Sequence, residues 1–317
     1  MQQPIAVLYE HPEWFKPLFA ELDRRNVPHV RLYAADHVYD PDERQVPYAL
    51  VVNRMSPSAW MRGQRAAIFH SLRYLEHLDH MGVPVLNGAD ACRFELSKAA
   101  QYSLMTRLGL HHPATRVLSR PEQALTAAAE LTFPVLIKPN IGGSGAGIQS
   151  FATMDDLTVA VRDGGIDFGI DHVGLLQEHL PAHDDAIIRI EIVGGKFLYA
   201  IRLLLTPGTF NLCPADYCEL PGIADGVSGR GLAVEGYQPS PEIIDDARRL
   251  VAAAGMDVGG VEYLVNARDG QPYFYDLNAL SNFVADAPTV IGFNPYLNLV
   301  DLIVERSGLS APRMSAA

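Results

Sequence analysis

The chain has 317 residues and a mass of 34.7 kDa, with 25 Lys and Arg against 37 Asp and Glu for a formal net charge of −12. That length can bury a full core and suggests two or three lobes, while 48% hydrophobic and 20% charged residues exclude a disordered chain. The acidity argues against nucleic acid or an anionic membrane as partner, because neutralising phosphates needs a basic face.

The chain opens on Ile5-Ala6-Val7-Leu8-Tyr9, an apolar run suited to a buried parallel strand. No basic n-region precedes it, and no apolar run approaches the roughly 20 residues of a membrane helix. No signal peptide is therefore expected, and the cytoplasm is the expected address. Trp14, Phe15, Leu18, Phe19 and Leu22 follow at helical spacing. Strands are expected at residues 30–33, 48–52 and 83–87, and a helix over 66–81 stopped by Gly82. This alternation implies a small doubly wound α/β lobe.

Ser97 is positioned to cap a helix running to Leu108, with Gly109 as its stop. Residues 133–139 and 148–151 read as strands around a glycine-rich loop, and residues 155–161 as a short helix. From Gly174 an antiparallel pattern is expected. Strands over 187–193 and 197–205 flank Gly194-Gly195, a two-residue hairpin signal. The stretch from Thr206 to Pro239 is a long Gly- and Pro-rich loop, of the kind that usually carries function. Ser240-Pro241-Glu242 opens a helix that Gly255 closes. Strands over 260–266 and 272–278 flank Arg268-Asp269-Gly270, and a last helix covers residues 297–307. Cys92, Cys213 and Cys218 are too few for a disulfide scaffold and read as free thiols. Two thiols without nearby histidines do not make a structural zinc site of Cys213 and Cys218.

Two places carry chemistry. Pro134-Val-Leu-Ile-Lys138-Pro ends a strand on a lysine, and Gly142-Gly143-Ser144-Gly145-Ala146-Gly147 follows. Backbone N–H groups in such a loop converge on anionic oxygens, and the lysine adds a point charge. No Gly-Lys-Ser/Thr follows, so it is not a Walker loop. The second place is Gly260-Val-Glu262, with Asp276-Leu-Asn278 on the next strand. If Arg268-Asp269-Gly270 is a three-residue loop, Ala267 faces Gln271 and Glu262 falls directly opposite Asp276. Asn278 then shares their face, because side chains alternate. Two carboxylates and an amide oxygen on one patch suit an oxygen-loving cation such as Mg²⁺.

Together with Asn87-Gly-Ala-Asp-Ala-Cys-Arg-Phe-Glu-Leu-Ser-Lys98 and Leu175-Leu-Gln-Glu178-His179-Leu180, these motifs give the chain a resemblance to the ATP-grasp superfamily. It looks closest to the ribosomal-protein glutamate ligases and related carboxylate–amine ligases. The resemblance spans nearly the whole chain and implies an α/β (α+β) fold in three parts. These are a doubly wound pre-ATP-grasp lobe (1–90), a linker helix with the lid subdomain (91–175) and an antiparallel C-terminal catalytic subdomain (176–310), with a tail at 311–317.

By matched position the resemblance implies that Lys98 and Lys138 contact the nucleotide and that Gly142, Gly143, Ser144, Gly145 and Gly147 form a mobile phosphate lid. Glu178, His179 and Leu180 match the adenine hinge. Asp185 stands where relatives carry a ribose-binding acid, with Asp184 as its rival. Glu262, Asp276 and Asn278 match the metal triad, although the family more often has Glu at position 276. Arg189 and Arg202 resemble the arginines that stabilise the transferred phosphate. Ser281, Asn282 and Asn211 fall where substrate contacts are expected, Ser281-Asn282 replacing a common Pro-Gly.

The implied activity is ATP-dependent amide formation through an acyl phosphate, with ATP and two Mg²⁺ ions, or Mn²⁺ in their place. A phosphotransferase-like acceptor and a non-catalytic ATP-binding regulator are the alternatives. The net charge disfavours a strongly acidic protein acceptor, so small-molecule carboxylate and amine substrates, amino acids or short peptides, are expected. A homodimer is the commonest assembly for such a chain.

Overall fold

The computed structural model of the chain describes residues 3–143, 145–205 and 233–309. In the first lobe β1 (Ile5–Tyr9), β2 (His29–Tyr33), β3 (Leu50–Arg54) and β4 (Val85–Leu86) form a parallel sheet in the order β2-β1-β3-β4. Helices α1 (Lys16–Arg24) and α2 (Arg65–His80) sandwich it. Alternation along the central strands divides their side chains. Ile5, Val7, Leu50 and Val52 pack with Leu18, Phe19 and Leu22 of α1, and Ala6, Leu8 and Val51 with Ile68, Leu75 and Leu78 of α2. Two short elements are additional to the expected set. One is a 3-10 helix over Pro57–Arg62, and the other is α3 (Ala89–Glu95).

Helix α4 (Lys98–Arg107) begins where expected, with Ser97 Oγ accepting from the Ala100 N–H at 3.2 Å. The second lobe holds β5 (Thr115–Leu118), α5 (Gln123–Ala128), β6 (Val135–Pro139), β7 (Gln149–Phe151), α6 (Met154–Arg162) and β8 (Gly174–Glu178). Its strands make an antiparallel sheet in the order β5-β8-β6-β7. Antiparallel pairing thus begins before Gly174, and β8 lies wholly in this sheet. The lobe therefore ends after Glu178 rather than inside β8 at residue 175.

The third lobe is a five-stranded antiparallel sheet, β11-β10-β9-β12-β13. It is built from β9 (Ala186–Val193), β10 (Lys196–Leu204), β11 (Val234–Tyr237), β12 (Val258–Val265) and β13 (Pro272–Asn278). Strands β9 and β10 join through Gly194-Gly195, with Val193 facing Lys196, the expected two-residue hairpin. The expected long loop ends in a strand, β11, on the edge of the sheet. Helices α4 and α7 (Pro241–Ala253) cover one face, where Ile188, Ile190, Ile192 and Val261 meet Tyr102, Met105, Leu250 and Val251. Helices α8 (Ala287–Ile291) and α9 (Pro295–Ser307) close the chain, and Leu299, Val300 and Ile303 of α9 join Ile187 and Ile201 to Leu18 and Leu22 of the first lobe. One apolar cluster thus spans two lobes. Each large side chain buried in it contributes about 1.5–3 kcal/mol.

Asn87 fixes the same junction by polar contacts. Its backbone is left-handed, with φ 54°. Its Nδ2 donates to the Val258 and Ala279 carbonyls at 2.7 Å each, and its Oδ1 accepts from the Asp257 and Val258 N–H groups at 2.8 and 3.0 Å. All of these groups lie within the protein, so each bond substitutes for one to water.

Candidate active site

Strand register lays the charged groups out in rows. Arg189 on β9 is directly across from Glu262 on β12, which is directly across from Asp276 on β13. The adjacent row holds Glu191, Gly260 and Asn278. All six side-chain positions share one sheet face. A Cβ at Gly260 would lie 2.4 Å from Arg189 Nη2, so any other residue there would push aside the guanidinium that crosses above it. Arg189 reaches Glu191 at 2.7 Å and Glu262 at 2.8 Å.

Glu262 does face Asp276, but not through the expected loop. The turn has four residues, Ala267 to Gly270, with the Asn266 N–H donating to the Gln271 carbonyl at 2.9 Å. Pairing from the turn is therefore offset by one, with Val265 opposite Pro272 and Tyr263 opposite Phe274. A bulge at Tyr275 takes up the extra residue and returns Glu262 to Asp276. The three-residue loop is corrected, and the pairing it implied stands because the two departures cancel.

This face forms the floor of a cavity of about 570 Å³, within the size range of small-molecule sites. All three lobes wall it. Lys98, Lys138, Gly142, Gly143, Gly145, Glu178, His179, Leu180, Asp185, Arg189, Glu262, Asp276, Asn278 and Asn282 are all on it. Asp185 is on the wall, whereas Asp184 turns to Arg202, 3.0 Å away.

Three expected positions fall elsewhere. Arg202 faces Ile188, the neighbour of Arg189, so the alternation of the strand puts it on the opposite side of the sheet, where it pairs with Asp184 and Glu235. It is not part of the cavity wall among the described residues. Ser281 is fully buried behind the wall, its carbonyl accepting from Arg54. Gly147 packs against Pro139 beneath the loop, where a Cβ would lie 2.7 Å from Cγ of that proline. Ser144 and Asn211, with Cys213, Cys218 and the tail beyond residue 309, lie outside the described residues.

Several residues on the wall or packed behind it carry no motif signal of their own. Asn140 ties the start of the glycine loop to α4: its Oδ1 accepts from the Ala99 N–H at 2.9 Å, and its carbonyl from the Lys98 N–H at 3.3 Å. Gln101 clamps the edge of β13 through both backbone groups of Leu277. Tyr102 accepts a hydrogen bond from Lys138 Nζ at 2.7 Å. Glu95, the last residue of α3, accepts from the Ala279 N–H. A polar residue at helical spacing on α4 or α3 was the only hint available for Gln101, Tyr102 and Glu95, and for Asn140 its place between β6 and the glycine loop.

Burial governs the electrostatics. Burial drives the Lys138 amine down to about 7, helped by the positive charge of Lys98. For Lys98 burial pulls the same way, but Asp276, Glu262 and Glu95 outweigh it and raise the amine above the ordinary lysine value. Burial pushes Asp276 up, yet its ion pair with Lys98 and the charges of Lys138 and Arg189 hold it below the usual carboxylate range. Glu262 is raised, because burial exceeds the pull of Arg189. Burial pushes Glu95 up to about 7.

The donors fit a hard cation. Among the described residues no three His, Cys, Asp or Glu side chains cluster as a metal site, so the candidate set is two carboxylates and an amide. It is oxygen-only, which suits Mg²⁺ with water and phosphates completing the shell. The Asn278 Nδ2 is buried without a partner among the described residues, so nothing else fixes which way this amide turns.

No family profile matches the chain. It is 24% identical over 204 residues to the D-alanine–D-alanine ligase of Geotalea uraniireducens (strain Rf4), a match covering 64% of this chain and 62% of that relative. The chain thus spans less than two thirds of that relative's length. Among solved structures it superposes on the D-cycloserine synthetase DcsG with a TM-score of 0.70 at 18% identity, covering 96% of this chain and 99% of that one. The ATP-grasp ligase PsnB, complexed with a phosphomimetic variant of its minimal precursor, Mg and ADP, gives a TM-score of 0.68 at 18% identity, covering 97% of this chain and 100% of that one.

Proposed function

We propose that this chain, whose fold is the ATP-grasp fold, is an ATP-dependent carboxylate–amine ligase that forms an amide through an acyl phosphate. The observation that carries the reading is the row Arg189, Glu262 and Asp276 gathered with Lys98 and Lys138 on the wall of one cavity edged by a glycine loop. Fold alone does not grant function, and this constellation is what a phosphate-transfer site needs.

The adenine lies along Glu178, His179 and Leu180, with Asp185 at the ribose. The phosphates lie between Lys98, Lys138 and the loop of Gly142, Gly143 and Gly145. Glu262, Asp276 and Asn278 would hold Mg²⁺, which neutralises phosphate charge when bound. A carboxylate oxygen of the substrate attacks the terminal phosphorus, and the bond to ADP breaks. Arg189 stabilises the charge that develops on the transferred group. The amine then attacks the acyl carbon and loses a proton, and phosphate leaves with the carbon–oxygen electron pair. The glycine loop excludes water, which would otherwise hydrolyse the acyl phosphate.

The substrates are small, amino acids or short peptides, and the cytoplasm, where ATP is supplied, is the setting. Lys138→Ala or Asp276→Ala should abolish substrate-dependent ADP formation while circular dichroism shows the fold intact. ADP release near the wild-type rate by either folded variant overturns the assignment.

A further inference from the structure

Glu95 stands apart from the other carboxylates at the phosphate end of the cavity. Asp276 is paired with Lys98, and Glu262 with Arg189. Glu95 has one partner, the Ala279 N–H, and no cation within ion-pair distance among the described residues. Arg93, two positions earlier in sequence, is engaged by Glu76 and Asp90. Arg54 is fully buried, holds the Ser281 carbonyl and is not on the cavity wall. Lys98, Arg189 and Arg54 act on Glu95 only from beyond ion-pair distance, so a ligand cation in direct contact would relieve the remaining cost of burying this carboxylate.

The wall beside Glu95 says what that ligand carries. Glu95 adjoins Ala279 and Leu280 in a second, water-sized cavity behind the first. From there the main wall continues through Leu280, Asn282 and Phe283. Leu280 and Phe283 belong to the same apolar cluster as Trp14, which is also on the wall. Ser56, Pro57 and Ser58 complete this end, whose wall residues are uncharged; Arg62, bonded to Ser58 Oγ and lying over the Trp14 ring, is already paired with Glu10. Asn282 Oδ1 is buried there without a partner, an acceptor left for a donor N–H.

We infer that Glu95 binds the ammonium group of an amino-acid substrate whose apolar side chain lies against Leu280, Phe283 and Trp14. This rests on the ligase reading and names the class of its amine-bearing substrate. An acidic side chain would find no unpaired cation on that wall among the described residues, and a basic one no second anion.

The test measures ADP release with MgATP and single or paired amino acids, comparing leucine, phenylalanine and methionine with aspartate and lysine. Wild-type release should be faster with the apolar set. Glu95→Gln retains an acceptor for the Ala279 N–H and should raise the amino-acid KM at least about tenfold, the loss expected for a charged hydrogen bond, with the KM for ATP unmoved. Glu95→Asp should recover part of that loss. Preference for aspartate or lysine, or an unchanged amino-acid KM in Glu95→Gln, overturns the inference and leaves the ligase reading standing. A raised Mg²⁺ requirement in Glu95→Gln assigns the residue to the metal and also overturns it. No stimulation by any amino acid overturns the ligase reading on amino acids, and the inference with it.

Discussion

Lys138 is 5% exposed beside Lys98, and burial with that neighbour brings its amine from 10.5 to about 7. Between those two values the unfolded chain binds the proton and the folded chain does not. Stability of the nucleotide-free protein should therefore rise with pH from about 7 toward 10 and lose this contribution below 7. Phosphates placed against the amine favour its charged form. MgATP binding at pH 8 should take up a proton, seen as a binding enthalpy that changes between buffers of different ionisation enthalpy. An enthalpy independent of buffer at pH 8 contradicts the assignment of Lys138 to the nucleotide. In a chain with four lysines and 21 arginines, Lys98 and Lys138 were legible because each ends or begins an element beside a motif. Arg202 misled because its residue type fits a phosphate contact while its strand parity does not. Glu95 stands inside the motif that ends on Lys98 but is not singled out by it, since one acid on a short helix carries no pattern of its own.

Among the elements, the hairpin of β12 and β13 shows how register survives an error in its turn. The sequence reveals both strands and their loop, and the face shared by Glu262 and Asp276 follows from alternation. A bulge leaves no periodic trace, so the extra residue at Tyr275 could not be read beforehand. The same limit applied to β8, whose apolar run announces a strand but not which sheet it joins. The junction at Asn87 gives an element-level prediction. Alanine there strands two carbonyls and two N–H groups in the interior, so Asn87→Ala should destabilise by about 2–4 kcal/mol in urea unfolding. A loss below about 1 kcal/mol would show that water replaces the side chain and that the junction does not depend on it.

At the scale of the molecule, three lobes meet around one cavity, and each contributes a different kind of group. The first gives the neutral end at Trp14 and Ser58, the second gives Lys138 and the loop, and the third gives Arg189, Glu262 and Asp276. The loop also approaches the first lobe. A Cβ on Gly143 would lie 2.8 Å from the Ser58 Cβ, so only glycine lets these lobes close together here. The order of the lobes was legible because their motifs occur in sequence. Their meeting was not, because it depends on packing such as the cluster that joins α1 to α9. The acidity of the chain takes on a local meaning: on the cavity wall, among the described residues, Lys98, Lys138 and Arg189 gather positive charge where phosphates would lie. The central claim is amide formation through an acyl phosphate, and isotope transfer tests it most directly. The protein is incubated with MgATP and a pool of amino acids labelled with oxygen-18 in their carboxylates, and the released inorganic phosphate is weighed by mass spectrometry. The account predicts one labelled oxygen in the phosphate for each ADP and each amide formed; ADP accompanied only by unlabelled phosphate would contradict it.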